Sequence, residues 1–158
     1  MKPLRLGSDV RRIVVEARAL AQRVAAPTLE AEHLLLAAAR VSDTTACNAL
    51  ADAGLGYDEL VAALDAEVET SLAAVGVSLS SFTLPPVRPG ARTPRWGASA
   101  GLALRRANRV AADRRERRLS SEHLLLGLLR APAGTVPRAL RLAGVDPVEL
   151  AERIGTAS

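Results

Sequence analysis

Aromatic side chains are nearly absent from this chain of 158 residues, which has one Phe, one Tyr and one Trp. An interior without rings must be built from Leu, Val, Ile and Ala, and such small side chains suit close helix–helix packing. Lysine occurs once, as Lys2, and no Gly-x-x-x-x-Gly-Lys-Ser/Thr string exists, which excludes a P-loop nucleotide site. No Gly-x-Ser-x-Gly elbow is present either. The lone Cys47 excludes an internal disulfide and reads as a small packed filler. No apolar run approaches the roughly 18 residues of a membrane span, and the N-terminus lacks the apolar stretch of a signal peptide. A cytoplasmic protein is expected.

What is present is a duplication. Leu29-Glu-Ala-Glu-His-Leu-Leu-Leu returns 90 positions later as Leu119-Ser-Ser-Glu-His-Leu-Leu-Leu. Without a gap, 14 of the 32 positions from 29 to 60 recur in 119 to 150, against about two by chance. Each unit of some 60 residues is too small to bury a robust core alone, so the two should pack together as one domain, 1–158. The units cover about 5–71 and 98–154, and the spacer 72–97 holds Pro85, Pro86, Pro89 and Pro94. The spacer has no helical period and reads as a surface loop. Its Phe82 and Trp96 read first as a lid over the core, with an exposed recognition group as the alternative.

Hydrophobic spacing predicts an all-α fold of eight helices in two four-helix repeats. Helices are expected over 9–24, 28–40, 44–53 and 57–71, and again over 98–114, 120–130, 135–143 and 146–154. Ser8 and Thr28 are the expected N-caps, Gly54 and Gly144 the expected C-terminal glycines, and Pro147 falls in a first turn.

Charge divides unevenly. Residues 1–70 carry 7 basic and 11 acidic side chains, and residues 71–158 carry 14 basic and 6 acidic. The run Arg105, Arg106, Arg109, Arg114, Arg115, Arg117 and Arg118 reads as a solvated face, with polyanion binding as a minor alternative, since no aromatic interleaving accompanies it. His33 and His123 each follow a glutamate. Adjacent helical residues point about 100° apart and do not chelate one ion readily, so each His is expected to close a polar contact at its own helix start. No metal and no cofactor is expected. Glu32 and Glu122 sit in first turns that favour carboxylates, and their equivalent places also suit two matched anionic pockets for a cationic group. No catalytic constellation is found, and an enzyme is not expected.

The doubled unit, with Arg11-Arg12-Ile-Val-Val-Glu-Ala, Glu32-His33-Leu34-Leu35-Leu36, Glu122-His123-Leu124-Leu125-Leu126-Gly127-Leu128-Leu129-Arg130 and Leu142-Ala-Gly-Val-Asp146, resembles the N-terminal (Clp repeat) domain of the Clp/Hsp100 chaperones, most nearly the ClpC type. The resemblance covers about 5–154. It implies a pseudo-twofold helical module that docks adaptors and client proteins for a Clp ATPase. With Met1 at its head and no room for a motor, the chain reads as a stand-alone copy, with an excised domain as the alternative, that serves as a docking module, decoy or regulator. By the resemblance, Glu32 and Glu122 are the residues that help bind phosphoarginine on tagged proteins. The family's phosphate-contacting threonines fall at Gly7 and Gly97, which keep an N–H and lose the hydroxyl. Trp96 and its repeat-one equivalent Leu6 fall on the apolar surface where relatives meet cyclic-peptide antibiotics, so sequestration of such peptides is an alternative. Nucleic-acid binding through the second repeat is a further one. The spacer is longer than usual for the family.

Overall fold

The computed structural model describes residues 4–157; Lys2 lies outside them. A two-residue strand β1 (Arg5–Leu6) leads into α1 (Ser8–Arg23). β2 (Thr28–Leu29) leads into α2 (Ala31–Arg40), followed by α3 (Thr45–Asp52) and α4 (Tyr57–Ala74). After the spacer, β3 (Arg95–Trp96) leads into α5 (Ala98–Asp113) and β4 (Arg118–Leu119) into α6 (Ser121–Leu129). α7 (Thr135–Leu142) and α8 (Pro147–Thr156) close the chain. The eight helices are those the periodicity predicts.

Two expected caps move. Ser8 is the first helical residue and Gly7 the N-cap, whereas Thr28 joins β2 and the cap passes to Glu30. Gly54 and Gly144 turn the chain at φ of 72° and 79°, a region where a Cβ is penalised. Pro147 opens α8, where its missing N–H costs nothing.

The strands pair reciprocally between the repeats, each pair parallel. β1 lies on β4 with Arg5 beside Arg118 and Leu6 beside Leu119, and β2 lies on β3 with Thr28 beside Arg95 and Leu29 beside Trp96. Shifting either pair by 90 positions gives the other, so the exchange displays the pseudo-twofold directly.

One continuous core runs through both repeats. α6 supplies its centre: Leu124, Leu125, Leu126, Leu128 and Leu129 are all buried, as befits a helix apolar all round. α5 closes on α6 along Ala100, Ala103, Ala107 and Ala111. The approach is so close that a Cβ on Gly127 would collide with the Ala103 carbonyl and the Ala107 backbone.

The repeats are unequal at their ends. α4 lies along α7 and is locked there by Glu67, buried at 4% exposure. Its Oε1 accepts from Arg138 Nε at 2.8 Å and from Ser71 Oγ at 2.6 Å. The counterpart α8 packs on α6 and leaves a cleft of about 390 Å³ against α3. The spacer from 80 to 89 is exposed and is tied down only near its end, where Gly90 N–H donates to Gln22 O at 2.7 Å. Phe82 is 59% exposed and Trp96 44%, so neither is a lid. Phe82 follows a single 3-10 turn (Leu79–Ser81) in the exposed part of the spacer, and Trp96 ends the two-residue β3.

Candidate functional site

Helix N-termini meet in two places. The paired strands deliver α1 against α6 and α5 against α2, each crossing fixed by one backbone bond: Gly7 N–H to Leu119 O at 2.8 Å, and Gly97 N–H to Leu29 O at 2.9 Å. Gly7 and Gly97 therefore occupy equivalent places, one at each crossing. Glu122 stands at the first and Glu32 at the second.

The α5–α2 crossing is closed by a carboxylate. Glu30 Oε2 accepts from Ser99 Oγ at 2.5 Å and from Ser99 N–H at 3.2 Å, and Ser99 Oγ accepts from Ala31 N–H at 2.8 Å. Burial raises the Glu30 pKa, but the hydroxyls of Ser99 and Thr28, the Ser99 amide and the nearby His33 outweigh it and hold the carboxyl below its ordinary range. At the α1–α6 crossing Asp9 does the same work, its Oδ2 accepting from Ser121 N–H at 2.6 Å.

The histidines are helix-start acceptors. His33 Nδ1 accepts from Glu30 N–H at 2.9 Å, and His123 Nδ1 accepts from Ser120 N–H at 3.1 Å. Each stays inside its own repeat. Burial pushes the His33 pKa down, against the upward pull of Glu32 and Glu30. Among the described residues no group of three His, Cys, Asp or Glu side chains is placed to hold a metal ion.

The two motif glutamates are not equivalent, contrary to the matched pockets expected from the repeat. Arg114 Nη1 donates to Glu122 Oε1 at 2.6 Å. The position matching Arg114 in the first repeat is Val24, which offers no charge. Among the described residues no salt bridge holds Glu32; its charge acts on His33. Glu122 also borders the α3–α8 cleft, with Asn48, Asp52, Leu150 and Arg153.

The arginine run is not a single exposed face. Arg106, expected outside, turns inward and donates through Nε to Gly127 O at 2.7 Å, and burial lowers its pKa. Arg114 is spent on Glu122. Arg105, Arg109, Arg115, Arg117 and Arg118 remain exposed. Cys47 is half-buried, its Sγ donating to Ala39 O at 3.2 Å.

Leu6 and Trp96 lie in different strand pairs, Leu6 half-buried against the core beside Leu119 and Trp96 outside, with the Arg18 guanidinium 5.8 Å from its ring centroid. That separation suits a cation resting on a ring face.

The family model for the Clp repeat (R) N-terminal domain matches residues 5–84 and again 97–158. The chain belongs to this family. Three solved domains share its fold. The N-terminal domain of the caseinolytic protease associated chaperone ClpD from Arabidopsis thaliana is 18% identical, with a TM-score of 0.68, over 97% of this chain and 94% of that one. The Hsp104 N-terminal domain from Candida albicans is 18% identical, at 0.65, over 95% and 89%. The N-terminal domain of the ClpV1 ATPase from E. coli is 23% identical, at 0.59, over 97% and 85%. No curated protein sequence matches the chain. At these identities the likeness establishes the Clp-repeat fold, and it does not single out the ClpC type. Among the described residues no helix is long and apolar enough to cross a membrane.

Proposed function

We propose that this Clp repeat domain, residues 1–158 acting as one unit, is a non-catalytic docking module of the Clp protease system. Domains of the family bind substrates and adaptors of Clp ATPases, and ClpD is named for its association with a caseinolytic protease. The observation that carries the reading is that both repeats are intact and interlocked by reciprocal strand pairs, so the fold on which docking depends is complete. Cytoplasmic clients, adaptors or the ATPase itself are the partners, and the module serves as a docking platform, decoy or regulator. Glu32, held by no salt bridge among the described residues, is the better placed of the two motif glutamates to meet a cationic side chain. Capture from lysate with the chain as bait tests this: Clp ATPases, their adaptors or proteins committed to degradation should be enriched, and recovery of none of these counts against the reading.

The exposed Trp96 ring supports a second reading, sequestration of a cyclic peptide aimed at the Clp machine. Calorimetry should then show binding that Trp96→Ala weakens by more than about 1 kcal/mol, as for an anchor residue. Unchanged affinity removes Trp96 from the site. Leu6, in the other strand pair, would be a separate contact rather than part of one patch with Trp96.

A further inference from the structure

Two helix N-termini converge at each crossing, and helix N-termini favour anions through their free N–H groups and their dipoles. In this chain each crossing already holds a carboxylate of its own: the Ser99 amide meets Glu30, and the Ser121 amide meets Asp9. We propose that Asp9 and Glu30 are built-in anions that set the specificity of the module: each carboxylate fills the oxyanion position of one crossing, so neither crossing takes a phosphorylated side chain and recognition falls to unphosphorylated polypeptide. The inference rests on the docking reading and names the ligand class that reading admits.

Glu30 reaches the Ser99 amide and hydroxyl at the start of α5, and Asp9 reaches the Ser121 amide at the start of α6. Neither carboxylate could stay if the glycine facing it had a side chain. A Cβ on Gly97 would overlap the Glu30 carboxyl carbon and both its oxygens, and a Cβ on Gly7 would lie 2.5 Å from Asp9 Oδ1. Glycine at 97 and acid at 30 therefore form a matched pair; at Gly7 a Cβ would also lie 2.8 Å from the Leu119 carbonyl oxygen, so glycine there answers to the backbone crossing as well as to Asp9. A threonine at either glycine, with a hydroxyl free to hold phosphate, would have to expel the internal carboxylate.

The two acids come from different places in the repeat. Position 9 corresponds to 99 and position 30 to 120, so acid and serine change places between the repeats; Asp9 meets the Ser121 amide at one crossing, and Glu30 meets Ser99 at the other. The same filling is reached from two non-equivalent positions. At the α1–α6 crossing the chain also supplies the cation, since Arg114 takes the Glu122 carboxylate. That crossing holds a carboxylate and a guanidinium of its own, the two charges a phosphoarginine would bring. A phosphate dianion entering either crossing meets a fixed like charge and finds the Ser99 or the Ser121 amide engaged.

Amide NMR on the full chain tests this with phosphoarginine and inorganic phosphate as probes. The wild type should show no shift at Gly7, Gly97, Ser99 or Ser121 up to concentrations that would reveal a Kd of about 1 mM. Glu30→Gly should gain phosphate affinity by at least about tenfold, with shifts confined to Ser99 and Gly97, and Asp9→Ser should do so at Ser121 and Gly7. Should Glu30→Gly unfold, Glu30→Gln, which keeps the size and removes the charge, takes its place. Wild-type shifts at these amides overturn the proposal, and so do folded variants that stay silent. Client or adaptor capture runs in parallel. Its loss, with the phosphate pattern as expected, sinks the docking reading alone; its persistence, with phosphate binding by the wild type, sinks this inference alone.

Discussion

Arg138→Ala tests how far the α4–α7 contact ties the repeats together. The Glu67 carboxylate is buried at 4% exposure, and the Arg138 side chain that reaches it is 54% exposed. A fully enclosed pair that loses one partner costs about 3–5 kcal/mol, and a surface pair about 0–1. Here Ser71 continues to donate at 2.6 Å and water replaces the departed guanidinium, so the loss is that of one charge-assisted hydrogen bond, about 1.5 kcal/mol. With a urea slope near 2 kcal/mol/M, the midpoint should fall by about 0.8 M. Glu67→Gln and the double variant complete a cycle, in which the coupling should exceed about 0.5 kcal/mol. Charge dependence gives a second readout. The Ser71 hydroxyl lowers the Glu67 pKa, burial opposes it, and Arg138 lowers it further. Wild type and Arg138→Ala should therefore converge once the pH falls below that depressed value. A midpoint change under about 0.2 M, or strict additivity in the cycle, would show that the bond contributes nothing and that α4 rests on apolar contact alone.

Stability should fall over two successive pH windows as the solution is acidified. His33 has a folded pKa lowered from 6.5, so the unfolded chain takes up its proton first and stability falls as the pH drops through that value. Glu30 and Glu67 are lowered from 4.5; the stability they contribute is full above that value and is lost as the pH falls through their depressed folded values. Flat urea midpoints from about pH 7.5 to 3.5 would refute both. Leu125→Ala, in the fully buried α6, should cost about 2–5 kcal/mol in the same assay, and a loss under about 1 would mean that the core relaxes around the gap. Trp96→Ala should change stability by less than about 1 kcal/mol, since the ring is 44% exposed; a larger loss would make it a structural residue. Gel shifts at two salt concentrations should show no complex with nucleic acid, because Arg106 and Arg114 are turned inward; a band that weakens with salt would reverse this.

The helices were legible in the sequence because their signals are local and doubled. The Leu triplet after each Glu-His marks the most buried helices, and Gly54 and Gly144 stand where positive φ is needed. The strands were not legible, because two residues carry no alternation to read. They also displaced a cap: Thr28 has the chemistry of an N-cap but is drawn into pairing with Arg95, and Glu30 follows in its place. Ser120-x-x-His123 did contain a readable signal, a cap residue and a ring acceptor three positions later. The difference between Glu32 and Glu122 was beyond reach of the repeat itself. It depends on whether Arg114 or Val24 precedes the second strand of each unit, and a 90-residue offset says nothing of how that side chain folds back.

The exchange of strands between the units has a consequence for how the polypeptide is held together. The exposed stretch from 80 to 89 contributes no strand and no core residue, while the edges on either side of it are completed by each other. A single protease cut between Leu84 and Pro89 should therefore leave both pieces bound in one particle.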